Sequence, residues 1–253
     1  MKLNINIGWL YPDLMSTYGD RGNVLVLQKR CKWRNIECKI VPITIGSSIK
    51  LLSGIDLIFA GGAQDKEQDI VMRDLLRSKG VKIKEKIEMD IPALFVCGAP
   101  QLMGNFYEPA IGKKIQGLGI FNIDSVYPTE NSKRLIGNTA AKVILPELLG
   151  LNIFGFENHG GRTYLRGDTK PFAKVLAGYG NNGEDKFEGM YYKNAIGSYF
   201  HGPLLPKNPA IADFLIKKAL EVKYKRNLKL EPLDDTLELK AQLAIANKLS
   251  IKI

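Results

Sequence analysis

Cysteine and histidine are scarce in this 253-residue chain: Cys31, Cys38 and Cys97, and His159 and His201, are all it has. So few cysteines, and an odd number of them, exclude a disulfide framework. Cys31 and Cys38 form no CxxC and have no histidine near them in sequence, so they read as two buried thiols and not as a metal site. Any imidazole-dependent chemistry must use His159 or His201. Long apolar runs are also missing. None approaches the roughly 20 residues of a membrane span. The opening stretch, MKLNINIGWLYPD, is broken by Asn4 and Asn6 and reads as a first strand, not an export signal, so the cytoplasm is the expected location. No repeat, low-complexity tract or Pro/Ser-rich linker occurs, which favours one domain. Acidic residues are the minority, 26 against 36 basic ones, for a net charge of +10. The basic residues are dispersed, and the densest run, Lys217 to Lys229, carries no nucleic-acid motif. A solvated basic face is expected, with no nucleic-acid partner.

The first 105 residues alternate strand and helix signals. Leu3–Trp9, Glu37–Pro42, Ile55–Ala60 and Ala93–Val96 read as strands; Asn23–Arg34 and Gln64–Lys79 have helical spacing; Tyr11–Gly22 is a turn-rich loop. Short, nearly continuous apolar strands between helices imply an α/β fold: a three-layer α/β/α sandwich around a mostly parallel sheet. The second half is richer in β signals, at Gly117–Ile123, Ala141–Ile144, Ile153–Phe156, Ala173–Tyr179, Phe187–Tyr192 and Ala195–Phe200. Pro209–Lys223 reads as a closing helix and Asp235–Leu249 as a further one. Residues 1–225 are therefore expected to form the domain. Residues 226–253 would be a helical extension packed on it or on a partner.

Chemistry concentrates at strand ends. In Ala93-Leu94-Phe95-Val96-Cys97-Gly98-Ala99-Pro100, an apolar strand stops at a cysteine and a helix can begin near Pro100. That is the geometry of a nucleophile elbow. The bend lifts the sulfur over the carboxyl edge of the sheet, the helix N-terminus favours thiolate, and the Gly98 N–H can face an oxyanion. Gly61-Gly62 also follows a strand and precedes a helix, which makes the Gly62 N–H a candidate second oxyanion donor. His201, in Tyr199-Phe200-His201-Gly202-Pro203, ends a late strand and can meet Cys97 at the same edge as its base. His159 sits in a polar, Gly-rich loop and suits a lining role.

These residues resemble the class I glutamine amidotransferases, and more narrowly their cobyric-acid-synthase-like branch. Further ordered blocks sharpen the resemblance: Tyr18-Gly19-Asp20-Arg21-Gly22-Asn23, Gly61-Gly62-Ala63-Gln64-Asp65, Gln101-Leu102-Met103-Gly104, Arg134-Leu135-Ile136-Gly137-Asn138 and Glu157-Asn158-His159-Gly160-Gly161-Arg162. Together they look like the glutaminase subunits of lipid II isoglutaminyl synthases. The resemblance implies a flavodoxin-like fold, L-glutamine as substrate, a thioester on Cys97 and proton transfer by His201. It implies that Arg134, with Gln101 and Gly61, holds the glutamine, and that His159 and Asn158 line the site. No metal or cofactor is implied in this chain. ATP and Mg would act in a Mur-ligase-like partner, MurT, through which lipid II is reached, at the inner face of the membrane. Many relatives carry His-x-Glu, with the Glu orienting the His. Here Pro203 takes that place, so a Cys–His dyad, or an acid donated by the partner, is expected. Two other readings share these residues: a glutaminase serving another ATP-dependent synthase, and an idle scaffold subunit.

Overall fold

The computed structural model describes residues 2–129 and 132–252. Along the first half run β1 (Asn4–Leu10), α1 (Arg21–Trp33), β2 (Glu37–Ile43), β3 (Leu57–Ala60), α2 (Asp65–Asp74), α3 (Gly80–Glu88), β4 (Ala93–Val96) and α4 (Gly98–Met103). Then come β5 (Phe106–Glu108), β6 (Ile115–Gln116), β7 (Ile123–Val126), β8 (Leu135–Val143), β9 (Asn152–His159), β10 (Arg162–Leu165), β11 (Ala173–Ala177), β12 (Phe187–Glu188), β13 (Met190–Tyr192), β14 (Ala195–Ser198) and β15 (Phe200–His201). Three helices close the chain: α5 (Leu204–Lys207), α6 (Pro209–Tyr224) and α7 (Thr236–Lys248).

The central sheet has the order β13-β14-β4-β3-β1-β2. Its strands are parallel except β13, which pairs antiparallel with β14 at the edge. Strand residues alternate between two cores, as the two-residue period demands. Leu57, Phe59, Leu94 and Val96 point to the side covered by α1 and α6, with Val24, Leu27, Ile211 and Leu215. Ile58, Ala60, Ala93 and Phe95 point to the side covered by α2, α3 and α4, with Val71, Met72, Ile83 and Leu102. Both faces being covered explains why these strands read as unbroken apolar runs. This is the expected three-layer α/β/α sandwich around a mostly parallel sheet.

Two smaller sheets, β10-β7-β5-β6 and β12-β11-β8-β9-β15, are built from the second half. One expected strand is replaced. Residues 117–122 lie outside any strand and wrap the end of α4 instead, donating Leu118 and Ile120 N–H groups to Leu102 and Met103. Gly117 allows the approach, since a Cβ there would sit 2.1 Å from the Gly104 carbonyl oxygen. The segment spends its amides on the end of α4, on Asn105 just past it and on Thr169, and has none left for a ladder.

Arg30 ties the last part of the chain to the body. Buried on α1, it donates Nε to Asp213 and Nη1 to Asp235, each at 2.6 Å. Arg34 adds a bond to the Glu231 carbonyl at 2.6 Å. Beyond this clasp, Ala246 of α7 packs on Ala140 and Phe154.

Candidate active site

Cys97 stands at the sharp bend between β4 and α4, with φ of 55° and ψ of −100°. A side chain rarely adopts a positive φ, and holding one there costs about 1–3 kcal/mol. The surroundings enforce it: the Cys97 N–H is fixed on the Ser198 carbonyl of the neighbouring strand at 2.8 Å. The thiol is nearly buried, on the wall of a chamber of about 450 Å³.

His201 ends β15, wholly buried behind the thiol. Its Nδ1 lies 3.1 Å from Oδ1 of Asp20. A carboxylate can only accept, so Nδ1 carries the proton and Nε2 is directed to the chemistry. Nε2 meets no acceptor at hydrogen-bond geometry, and Cys97 is within its electrostatic reach. Burial by itself lowers the imidazole pKa. The charge of a Cys97 thiolate and the Asp20 carboxylate outweigh it and push the value up to about 10. The ring of Tyr18 meets His201 edge-on at 5.0 Å.

The expectation that the orienting acid is missing or comes from a partner is therefore corrected. Asp20 occupies that place from within the chain, 181 residues before His201. It is fully buried just ahead of α1, where the helix dipole favours a negative charge. Its other oxygen, Oδ2, accepts the Gly62 N–H at 2.6 Å.

That second bond corrects the assignment of Gly62 as an oxyanion donor, because its N–H is already taken. Gly62 serves by being small: a Cβ there would sit 3.1 Å from His201 Cε1 and 3.2 Å from Cys97 Cβ. Gly61 is corrected likewise. A Cβ on it would lie 2.7 Å from the Met15 carbonyl and 2.8 Å from Asp20 Cβ, so it admits the Asp20 loop and not the substrate. The Gly98 N–H remains free at the start of α4. The Ala63 N–H beside it is also unengaged among the described residues, with Ala63 N 3.1 Å from where a Gly98 Cβ would be. These two amides form the oxyanion pair that the geometry offers.

Gln101, Arg134, Asn158 and His159 all line the chamber with Cys97. Arg134 is held by its neighbour, Nε on Asn158 Oδ1 and Nη2 on the Asn158 carbonyl, both at 3.0 Å. Gln101 is buried and already paired, accepting from Gln68 Nε2 at 3.1 Å and donating to Tyr199 Oη at 3.3 Å. It shapes the wall. His159 stacks on Tyr199 with centroids 4.1 Å apart. Asp65 and Tyr107 also line the chamber, joined by a 2.9 Å hydrogen bond. Among the described residues, no cluster of three or more His, Cys, Asp or Glu could hold a metal ion.

A strained thiol, an imidazole oriented by a buried carboxylate, and an arginine facing them across a chamber define a cysteine-dependent amidohydrolase site. The CobB/CobQ-like glutamine amidotransferase domain matches residues 6–209, and the chain belongs to that family. It is 39% identical over 93% of its length to the lipid II isoglutaminyl synthase (glutamine-hydrolyzing) subunit GatD of Staphylococcus aureus, covering 92% of that protein. It is 39% identical to GatD of Streptococcus pneumoniae over 92% of this chain and 87% of that one. A probable cobyric acid synthase of Methanosphaera stadtmanae is 27% identical, over 60% of this chain but 31% of its own length. Among solved structures, a glutamine amidotransferase shares the fold with a TM-score of 0.58 at 15% identity, covering 84% of this chain and 98% of that one. Another, from Thermotoga maritima, gives 0.52 at 14% identity, over 97% and 93%.

Proposed function

We propose that this chain is the glutamine-hydrolysing subunit of a lipid II isoglutaminyl synthase. Glutamine enters with its α-carboxylate on the Arg134 fork, which suits a bidentate carboxylate. The Cys97 sulfur adds to the carboxamide carbon, and the Gly98 and Ala63 N–H groups receive the oxyanion. The His201 imidazolium gives its Nε2 proton to the leaving nitrogen, the C–N bond breaks, and ammonia departs from a γ-glutamyl thioester. His201 Nε2 then takes a proton from water, whose oxygen adds to the thioester; the C–S bond breaks and glutamate leaves. Asp20 keeps the Nδ1 proton and the orientation of the ring throughout.

The ammonia is passed to a Mur-ligase-like partner of the MurT kind. That partner uses ATP and Mg to amidate the D-glutamate of the lipid II stem peptide, in the cytoplasm at the inner membrane face. In this reading no cofactor works inside this chain. Among the described residues no helix is long and apolar enough to cross a membrane. The observation that carries the reading is the Asp20–His201–Cys97 arrangement in a chain that matches glutaminase subunits over 92–93% of its length. The match to cobyric acid synthases is weaker, 27% identity over 60% of this chain, which favours the isoglutaminyl synthase reading over a cobyric-acid one. The test is ammonia release from L-glutamine with and without a Mur-ligase-like partner. Cys97→Ala is expected to abolish release. Glutamine-independent behaviour of the wild type, or full activity of Cys97→Ala, would sink the reading.

A further inference from the structure

Glu188 is fully buried and lies outside the chamber. It ends β12, beside the point where the chain passes from one sheet to another. β14 ends at Ser198 in the central sheet, and β15 begins at Phe200 in the sheet of β8 and β9. Tyr199 stands between them and belongs to neither strand. Buried backbone N–H groups at such a crossing must find acceptors outside the ladders. Glu188 provides one. Its Oε1 accepts the Tyr199 N–H at 2.9 Å and the Ser198 hydroxyl at 2.7 Å. The same hydroxyl oxygen accepts the Phe200 N–H at 3.1 Å. Three consecutive residues are thus set, directly or through one hydroxyl, by a single carboxyl oxygen. The other oxygen, Oε2, is buried and has no partner among the described residues.

Both halves of the chemistry hang on those three residues. The Ser198 carbonyl anchors the Cys97 N–H at 2.8 Å, and with it the strained φ of 55°. His201 follows Phe200 directly. The crossing therefore holds the elbow by its carbonyl and carries the imidazole at its far end. The backbone beside Glu188 is itself fixed. Buried Asn181 accepts the Gly189 N–H at 2.7 Å and donates to the Gly189 carbonyl at 3.0 Å. Burial, with the Glu157 charge adding to it, pushes the Glu188 pKa up to about 8 against its donors. At neutral pH the group is an uncharged acid, and its carbonyl oxygen does the accepting. We propose that Glu188 is a positioning residue for glutamine hydrolysis: by bonding Ser198 and Tyr199 it fixes the sheet crossing that holds the Cys97 elbow and delivers His201 to it. It acts through these neighbours and does not touch the substrate. This rests on the glutaminase reading.

The test measures ammonia release from L-glutamine by the full chain. Glu188→Met keeps the length of the side chain and removes the acceptor. It should lower kcat about 30-fold and leave KM within about twofold, because reacting groups are displaced and no substrate contact is lost. Glu188→Gln sets an uncharged carbonyl oxygen in the same place and should keep kcat within about threefold of the wild type. Equal losses in the two variants, or a raised KM with kcat intact, overturn the proposal. Ser198→Ala removes only the bridging hydroxyl and should lower kcat about tenfold at unchanged KM. If Glu188→Met fails to fold, a wild-type kcat in Ser198→Ala overturns the proposal by itself. A second readout needs no glutamine. Alkylation of Cys97 by iodoacetamide, followed by peptide mapping, should slow about tenfold in Glu188→Met and in Ser198→Ala but not in Glu188→Gln, since a loosened elbow no longer sets the thiol against its base. Unchanged rates in the first two overturn the proposal. A wild type that releases no ammonia from glutamine sinks the glutaminase reading instead, and the alkylation rates then decide the positioning role.

Discussion

Asp20 touches both sides of the chemistry, with one oxygen on the His201 ring and the other on the Gly62 amide. Replacing it by asparagine keeps the shape but lets the side chain offer an N–H where His201 needs an acceptor. The ring would then favour the wrong tautomer. Asp20→Asn is expected to lower kcat for glutamine hydrolysis about 100-fold or more with little change in KM. Steady-state ammonia release checks this. A second expectation concerns the imidazole. Because Cys97 and Asp20 raise His201 to about 10 against the effect of burial, Cys97→Ala should bring its titration markedly lower, as an NMR titration of the two histidines would record. Cys97 and His201 were legible in the sequence because each ends an apolar strand beside a glycine. Asp20 was not. It lies in a turn-rich loop far from both, and the one signal for it was an acid directly ahead of a helix, inside a block shared with glutaminases.

At the level of elements, strands buried on both faces announce themselves, and β1, β3, β4 and β14 fall close to where apolar runs place them. The antiparallel additions do not. Residues 117–122 carry strand-like composition, yet their amides bond the end of α4, and only the packing of Gly117 on Gly104 decides that. The clasp of Arg30 was equally hidden, since its partners Asp213 and Asp235 are far off in sequence. Arg30 is buried while both aspartates are about a quarter exposed. Arg30→Met should therefore cost about 3 kcal/mol of stability, somewhat below the loss for a fully buried pair, because water partly relieves Asp235 and Arg34 still pairs with Asp213. Urea denaturation measures it. A loss under about 0.5 kcal/mol would show that the clasp contributes little.

For the molecule as a whole, three buried groups bias stability in one direction. Burial pushes Glu188 from its ordinary 4.5 up to about 8, although Ser198 Oγ and the Tyr199 N–H donate to it. Burial raises Glu157 to about 7 against the Tyr179 and Gly180 amides. An acid with a raised folded pKa holds its proton more tightly when folded. Its contribution is lost as pH climbs from the unfolded value through the folded one. His201, also raised, contributes stability that is complete below 6.5 and disappears through about 10. Unfolding free energy should thus fall between about pH 4.5 and pH 10, most steeply near pH 6.5 to 7 where all three windows overlap. Glu188→Gln should flatten the part below pH 8, worth on the order of 5 kcal/mol there, and leave the shallower alkaline limb set by His201. Denaturant midpoints across this range would show it, and a parallel wild-type and variant profile would refute it.

The Cys97 amide is pinned to the Ser198 carbonyl, and His201 follows three residues later. During synthesis the thiol leaves the ribosome a hundred residues ahead of the segment that bends it and supplies its base. A nascent or truncated chain ending before β14 holds Asp20 and Cys97 but neither the elbow's anchor nor the imidazole. The nucleophile is armed only when the last strand of the central sheet docks, so half-made copies cannot release ammonia.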